Sequence, residues 1–286
     1  MRWSGVPDPP PPRLRWRSRA RVLRRAIPAG AVVFGGLALL LLLRLAERPL
    51  FGLRRPATPW ITVGVCRAAL RLMGIGREAR GQVLRAKGAW VANHASWLDI
   101  LALNAAAPVY FVAKAEVAGW PGIGWLARAT GTVFVVRDRR EAAAQRDLLN
   151  ARLAAGHVLC VFPEGTSTDG RRVLPFKPTL FEAFLSAGLR DRLSVQPVTV
   201  AYHAPVDARP DLYGWWGEQG FGAHLLDVLA RPRQGRVSVR FHPPVAVAEA
   251  GTRKALARRA EEAVRGGLAA EGISPSPPQP RSPPTS

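Results

Sequence analysis

The sequence predicts an α/β domain with a largely parallel central sheet flanked by helices, preceded by an N-terminal membrane-associated helical module. Short β-rich runs alternate with helical patterns from Gly76 onward, and a charge-free apolar stretch precedes them. Strands that alternate with helices favour a parallel sheet. With 286 residues, 48% of them hydrophobic, the chain can bury a core and is not a disordered tail.

The predicted strands are short and β-rich, and they cover residues 89–92, 109–113, 132–136, 157–162, 194–201 and 237–241. The predicted helices cover residues 97–106, 122–129, 139–155, 180–189 and 252–268. Together these elements define an α/β domain over residues 76–273. Residues 274–286 are rich in Ser and Pro, which predicts a disordered tail.

The N-terminal arm, residues 1–25, carries eight arginines and a run of four prolines. We expect it to be disordered or to lie on an anionic surface, because it lacks an apolar face. The following 18 residues, 26–43, carry no charge. As a helix they would be about 27 Å long, at the short end of what spans a bilayer. A buried soluble helix and a signal peptide are the alternatives, although Arg44 follows directly where a signal peptide has small residues.

A second stretch, residues 60–75, is amphipathic, with Arg67 and Arg71 four residues apart among apolar side chains. This pattern is typical of a helix that lies in the membrane interface. Residues 26–75 therefore form the predicted membrane module. Because arginines flank both sides of the first segment, a single span and a pair of helices dipping into one leaflet remain equally compatible with the charges.

The formal net charge is +21, and only four of the basic residues are lysines. Arginine stays protonated and binds phosphate or carboxylate in a forked geometry. The charge therefore indicates an anionic partner, which could be nucleic acid, an anionic membrane or a phosphorylated substrate. Two cysteines are too few for a disulfide scaffold.

The strongest candidate for chemistry is the pair His94 and Asp99, which follows a predicted strand and opens a predicted helix. Ser96 is well placed as the N-cap, with Asp99 three residues on as in a capping box. A carboxylate that accepts the imidazole N–H would fix the tautomer and leave the other ring nitrogen free as a general base. The alternative is that Asp99 only caps the helix and His94 is an ordinary loop histidine.

A second candidate is the turn Phe162-Pro163-Glu164-Gly165-Thr166-Ser167, which closes the most apolar strand. Open α/β sheets bind ligands at the carboxyl ends of their strands. Three cations, Lys114, Arg137 and Lys177, lie near such ends and could converge on one anion. The sequence has no G-x-S-x-G elbow, which disfavours an acyl-serine intermediate. It also has no phosphate loop and no H-E-x-x-H helix.

Four segments in this order resemble the motifs of the glycerolipid acyltransferase family, in particular its bacterial 1-acylglycerol-3-phosphate acyltransferases. They are Asn93-His94-x-Ser96-x-x-Asp99, Gly131-Thr132-Val133-Phe134-Val135-Val136-Arg137, Phe162-Pro163-Glu164-Gly165-Thr166 and Val195-Gln196-Pro197-Val198. The resemblance covers residues 57–245.

The resemblance implies that His94 takes the proton from the acceptor hydroxyl, that Asp99 orients His94, and that the hydroxyl attacks the acyl thioester directly. The implied substrate-binding residues are Arg137, Glu164, Gly165, Thr166, Lys114, Asn93 and Ser96. The sequence departs from the family at Ser167, where many members have arginine, and at Thr179, where glycine is common. Both departures weaken the assignment of a phosphate as the head group of the acceptor. A lyso-ornithine lipid or another lysophospholipid is therefore the alternative acceptor to 1-acylglycerol-3-phosphate.

The resemblance further implies an acyl-CoA or acyl-carrier protein donor, contact with membrane lipids, no metal and no other cofactor. It also implies a bacterial inner membrane location, with the catalytic domain facing the cytoplasm. Two rival classes remain: a non-catalytic protein that binds anionic lipid or nucleic acid, and a lipid hydrolase. With the acyltransferase motifs present, we expect no nucleic-acid partner.

Overall fold

The N-terminal module is a helical hairpin. A computed structural model of the chain describes residues 3–12, 14–84, 88–136, 139–185, 190–191 and 193–274. Helix α1 (Trp16–Phe51) ends at Gly52, whose φ is +58°, and helix α2 (Thr58–Met73) follows. Glu47 of α1 closes the turn, because its carboxylate accepts hydrogen bonds from the N–H groups of Ala57 (2.8 Å) and Thr58 (3.2 Å). A carboxylate at a helix N-terminus satisfies donors that have no partner within the helix.

Helix α1 is long and apolar enough to cross a membrane by length and composition. Its most apolar 18-residue window has a mean hydropathy of 2.4, and 6% of that window is buried. At 36 residues the helix is about 54 Å long. The predicted module of residues 26–75 therefore consists of two helices, as expected, but its first helix begins ten residues earlier.

The expectation of a disordered arm over residues 1–25 is wrong from Trp16 onward. The arginines there find partners in the protein: Arg21 Nε donates to Ala230 O (2.9 Å), and Arg25 donates to Leu229 O (2.9 Å) and Arg231 O (2.6 Å). These carbonyls lie at the C-terminal end of a later helix, where backbone acceptors are unsatisfied and cations are favourable. The predicted tail lies outside the described residues apart from Ser274.

Within the described residues the central sheet has eight strands in the order β1-β7-β6-β2-β5-β3-β4, with β8 paired to β6. The strands are β1 (Gly76–Arg80), β2 (Gly88–Ala92), β3 (Tyr110–Lys114), β4 (Val133–Val135), β5 (Leu159–Val161), β6 (Ser194–His203), β7 (Arg236–Phe241) and β8 (Val245–Ala246). The five strands from β6 to β4 are parallel, whereas β7 and β8 run antiparallel to β6. The prediction of a largely parallel sheet is confirmed.

Helices cover both faces of the sheet. They are α3 (Leu98–Ala106), α4 (Ile123–Thr130), α5 (Ala142–Ala154), α6 (Phe221–Ala230), α7 (Val247–Ala250) and α8 (Arg253–Ala270), with 3₁₀ helices at Ala115–Gly119, Arg139–Glu141 and Pro178–Leu185. The helix predicted over residues 180–189 is a 3₁₀ helix as far as Leu185, and residues 186–189 lie outside the described residues. Helix α6 and strands β1 and β8 were not predicted.

Strand β2 separates two hydrophobic cores because its side chains alternate between the two faces. Trp90 and Ala92 pack with α2, α3 and α6, whereas Ala89 and Val91 pack with α5, α8 and the 3₁₀ helix Pro178–Leu185. All five residues of β2 are buried. A central strand buried on both faces fixes the position of the chain that leaves its carboxyl end, which carries His94.

The hydrogen bonds of Arg25 predict that substitutions of two adjacent arginines in α1 affect stability differently. Arg25 is buried and donates to three carbonyls in and just after the last turn of α6, whereas Arg24 is exposed. We expect Arg25→Ala to lower the free energy of unfolding by about 2–3 kcal/mol, because hydrogen bonds from a charged donor are lost and acceptors stay buried. Arg24→Ala serves as the control and should change it by less than about 0.5 kcal/mol. Equal effects in detergent denaturation would contradict this account.

Candidate active site

The predicted pair His94 and Asp99 lies together at the carboxyl end of β2. His94 Nδ1 is 2.7 Å from Asp99 Oδ2, and the same oxygen accepts hydrogen bonds from the N–H groups of Ala95 (2.8 Å) and Ser96 (3.0 Å). With the carboxylate accepting, Nδ1 carries the proton and Nε2 is left as the basic nitrogen. Nε2 has no hydrogen-bond partner among the described residues, so it is free to meet a substrate.

The capping box predicted at Ser96 is present in part. Asp99 accepts the Ser96 N–H as a capping-box acid does, but α3 begins at Leu98, and the Ser96 hydroxyl accepts a hydrogen bond from the Leu98 N–H (3.3 Å). Asp99 therefore caps the helix and holds His94 with one carboxylate. The alternative in which Asp99 only caps the helix is therefore wrong, and the catalytic role of the pair stays a prediction.

Tyr202 of β6 completes the surroundings of Asp99. Its hydroxyl donates to Asp99 Oδ1 at 2.8 Å, and Asp99 itself is fully buried. Burial, together with the Asp99 charge, raises the pKa of the Tyr202 hydroxyl well above its usual value, so Tyr202 stays protonated as a donor. Sequence reasoning missed this residue because the contact joins positions 103 residues apart.

The imidazole of His94 is held by aromatic stacking. Its ring lies 4.1 Å from the Phe162 ring with 17° between the planes, and Phe162 stacks in turn on Phe111 (5.9 Å, 9°). The His94 side chain is 22% exposed. The carboxyl end of β5 therefore positions the ring while leaving one edge open to solvent.

Glu164 braces the two loops that border His94. Oε1 accepts the His94 N–H (2.7 Å) and Oε2 accepts the Leu174 N–H (2.8 Å), and the residue is 2% exposed. Burial raises the pKa of Glu164 to about 8, although the two backbone N–H groups oppose that shift. Its predicted contact with a substrate stays a prediction; in the structure Glu164 joins the loop that carries His94 to the loop at Leu174.

Asn93 and Ser96, which were predicted to bind substrate, both have buried side chains. The Asn93 side chain is buried, donating to Val200 O and accepting from Val200 N–H, both at 2.8 Å. It thereby extends the pairing of β2 with β6 past the end of the strand. Ser96 is fully buried. Both side chains hold the loop that carries His94, and their predicted contact with a substrate stays a prediction.

Gly165 and Thr166 form the turn predicted to hold the acceptor. Gly165 has φ +72°, a conformation that favours glycine, and a Cβ built there would lie 2.7 Å from Lys177 Nζ, the end of a flexible side chain. The Gly165 N–H donates to Phe162 O (3.0 Å), which closes the turn. Lys177 is exposed, and its ammonium lies against the turn.

The remaining predicted cations differ in position. Lys114 is the last residue of β3 and is half-buried, whereas Arg137 lies outside the described residues. Arg172, which follows the turn at Glu164, was not among these predicted cations and forms a forked ion pair with Asp169 (2.8–3.2 Å). Lys177 was noted in the sequence for its charge but was left out of the predicted substrate-binding set. Within the described ranges, no three His, Cys, Asp or Glu side chains group as a metal site would require.

The Acyltransferase family matches residues 78–201, the segment that contains His94, Asp99 and the turn at Glu164. The chain belongs to the glycerolipid acyltransferase family. The resemblance drawn from the four motifs is therefore confirmed.

Among its relatives, the chain is 52% identical to a protein of Rhodobacter capsulatus named lyso-ornithine lipid O-acyltransferase, over 93% of this chain and 96% of that protein. A protein of the same name from Pseudomonas aeruginosa is 35% identical over 87% of this chain and 93% of that one. The 1-acyl-sn-glycerol-3-phosphate acyltransferase of Neisseria gonorrhoeae is 31% identical over 71% of this chain and 78% of that one.

The fold is shared with a solved structure. The 1-acyl-sn-glycerophosphate acyltransferase of Thermotoga maritima superimposes with a TM-score of 0.62 at 22% identity, over 91% of this chain and 98% of that one. This match covers the helical hairpin as well as the α/β domain.

The bond from Tyr202 to Asp99 predicts a selective loss of turnover. We expect Tyr202→Phe to lower kcat about 10-fold, because a hydrogen bond to a charged group is worth about 1.5–3 kcal/mol, and to leave KM for the acceptor unchanged, because Tyr202 is buried. Tyr213→Phe is the control: its hydroxyl is equally buried but bonds Gln234 and Gly235. Steady-state kinetics of both variants test the assignment, and a larger kcat loss in Tyr213→Phe would refute it.

Glu164 predicts a pH-dependent stability. The pKa of Glu164 is raised from 4.5 to about 8, so the folded protein keeps a proton that the unfolded chain loses, and the free energy of unfolding falls as the pH rises through this window. Burial lowers the pKa values of His157 and His224 from 6.5 to about 4. These two histidines therefore make the free energy of unfolding rise with pH between about 4 and 6.5, and their contribution is constant above pH 6.5.

Denaturation between pH 6.5 and 8 therefore isolates Glu164 from these two histidines. Stability of the unsubstituted protein should decline across that range, and Glu164→Gln should flatten the decline. An equal decline in the variant would assign it to another group.

Proposed function

We propose that the protein is an O-acyltransferase that moves a fatty acyl group from a thioester donor to the free hydroxyl of lyso-ornithine lipid. The observation that carries the catalytic part is the His94–Asp99 pair, with Nε2 of His94 free and its ring edge exposed. Two relatives named for lyso-ornithine lipid, at 52% and 35% identity, support this acceptor. They favour it over 1-acylglycerol-3-phosphate, the leading sequence prediction.

In the proposed mechanism, His94 Nε2 accepts the proton of the acceptor hydroxyl as the oxygen attacks the thioester carbonyl. The C–O bond forms, the tetrahedral intermediate collapses, and the C–S bond breaks. The thiolate leaves and takes the proton from the imidazolium, so the histidine returns to its neutral form. Asp99 stabilises the transient imidazolium and keeps the proton on Nδ1.

The polar surroundings of the turn support a head group other than phosphate. Ser167, which replaces the arginine of many family members, donates its hydroxyl to Trp215 O (2.5 Å) and so joins two loops. Arg172 is already paired with Asp169. A phosphate monoester is a dianion that favours forked arginine contacts, whereas an ornithine head group offers one carboxylate and one ammonium. Lys177 beside Gly165 is an exposed cation suited to that carboxylate.

The donor and location belong to the same proposal. Acyl-CoA or an acyl-carrier protein supplies the thioester, and no further cofactor takes part. The exposed apolar side chains of α1, such as Leu42 (66%) and Leu45 (75%), enter the lipid. The catalytic domain then lies at the cytoplasmic face of a bacterial inner membrane, where such donors are made.

The acceptor is identified by a panel of lysolipids. Purified protein in mixed micelles, supplied with an acyl thioester, should release thiol only in the presence of acceptor, and kcat/KM should be highest for lyso-ornithine lipid. A preference for 1-acylglycerol-3-phosphate would overturn the proposed identity of the acceptor but would leave the proposed acyl-transfer reaction in place. Release of free fatty acid without acceptor would indicate a hydrolase. Salt-sensitive nucleic-acid binding without turnover would indicate the binding protein.

The catalytic role of His94 and Asp99 is tested by substitution, with another histidine–carboxylate pair as the control. We expect His94→Ala to lower kcat by about 10²–10⁴-fold, the usual contribution of a general base, and Asp99→Asn to act in the same direction. Acyl-donor binding should be largely retained. His203→Ala is the control, since His203 also pairs with a carboxylate, Glu271 (3.3 Å), and its side chain is 20% exposed. Retained turnover in purified His94→Ala protein would contradict the assignment of His94 as the general base.

A further inference from the structure

Residues 3–12, which we name the N-terminal strap, lie against the catalytic domain without forming a helix or strand. The chain between this strap and α1 is short, since α1 begins at Trp16. The strap contains four consecutive prolines, residues 9–12, which restrict it to extended conformations before it docks. Docking such a segment costs less conformational entropy than docking a flexible one.

One side of the strap contacts the turn of the third motif. The Trp3 N–H donates to Thr166 Oγ1 at 3.1 Å, two residues beyond Glu164. The Arg172 guanidinium lies 5.0 Å from the centre of the Trp3 ring, within the range of a cation–π contact. Because Asp169 fixes Arg172 from the other direction, the indole meets an ordered partner.

The other side of the strap contacts residues 216–218, which lie in a stretch that contains Tyr213, Trp215 and Trp216. The Gly217 N–H donates to Trp3 O (3.0 Å), and the Trp3 and Trp216 rings meet edge to face at 6.4 Å. Further along, Trp216 Nε1 donates to Val6 O (3.2 Å), and the Glu218 N–H donates to Asp8 Oδ2 (2.9 Å). The strap thus joins two loops that are far apart in sequence.

Both of these loops hold the backbone around the catalytic histidine. The Thr168 N–H donates to His94 O (2.9 Å), and the Trp215 N–H donates to Ala95 O (2.8 Å). Ser167 joins the two loops directly through its bond to Trp215 O. Trp3 is therefore connected to the backbone that carries His94 through these two loops. It also borders the turn where the acceptor is expected to bind.

We propose that the strap is a positioning element of the acceptor site, with Trp3 fixing the wall formed by Thr166 and Trp216 against which the lipid acceptor is held. This inference rests on the proposed acylation of a lysolipid hydroxyl. The strap leads into α1, the helix that we propose enters the lipid, so the strap and the lipid-facing helix are neighbours in the chain. Trp3 acts through the two loops and touches neither His94 nor Asp99.

The experiment compares three tryptophan variants of the full-length protein in mixed micelles. We expect Trp3→Ala to raise KM for the acceptor about 10-fold, with kcat and the KM for the acyl donor within about twofold of the unsubstituted protein. Trp3→Phe keeps an aromatic ring against Arg172 and should restore most of the acceptor KM. Trp16→Ala is the matched control, since Trp16 is 73% exposed at the start of α1.

A thermal melt of each variant separates positioning from stability. An unchanged acceptor KM in Trp3→Ala would overturn the inference, as would a parallel loss of kcat, both KM values and melting temperature. If the protein acylates another lysolipid instead of lyso-ornithine lipid, the proposed acceptor fails, and the same comparison is made with the lipid it uses. If it acylates no lysolipid, both proposals fail.

Discussion

The site depends on one buried carboxylate. Asp99 has no exposed surface, and burying a carboxylate without donors costs of order several kcal/mol. Its oxygens accept from Ala95 N–H, Ser96 N–H and the Tyr202 hydroxyl, in addition to His94 Nδ1. Meeting these donors fixes the turn after β2, the start of α3 and the spacing between β2 and β6 at once. The orientation of the imidazole is a consequence of that arrangement.

The positive charge that first indicated an anionic partner is used in large part inside the fold. Several arginines donate to carbonyls at helix ends, where cations are favoured. They are Arg21 and Arg25 at α6, Arg67 at α3, and Arg55 and Arg152 at α4. Burial lowers the pKa of Arg152 to about 10, which shows the cost of placing a cation there. These arginines join the helical hairpin and α5 to the ends of other helices, so the net charge overstates what is left for ligands.

The sequence was sufficient for the parallel sheet and for the His94–Asp99 pair, because both depend on local patterns: β-rich runs and a six-residue motif. It failed where a residue's partner is distant. The hydrogen bond of the Asn93 side chain to Val200, 107 residues away, could not be read from the motif around His94. Strand β1 was missed because its residues are polar and mostly exposed at a sheet edge. The helical start of the arginine arm depends on carbonyls of α6 that no local pattern reveals.

The sequence distances of these contacts set an order of assembly during synthesis. Glu47 caps α2 across 11 residues, so the hairpin can close as soon as α2 has left the ribosome. The bond from Tyr202 to Asp99 spans 103 residues, and β2 lacks its neighbour β6 until that stretch is made. A nascent chain can therefore reach the lipid surface through its hairpin well before it can catalyse anything. Acyl transfer begins only once β6 is in place.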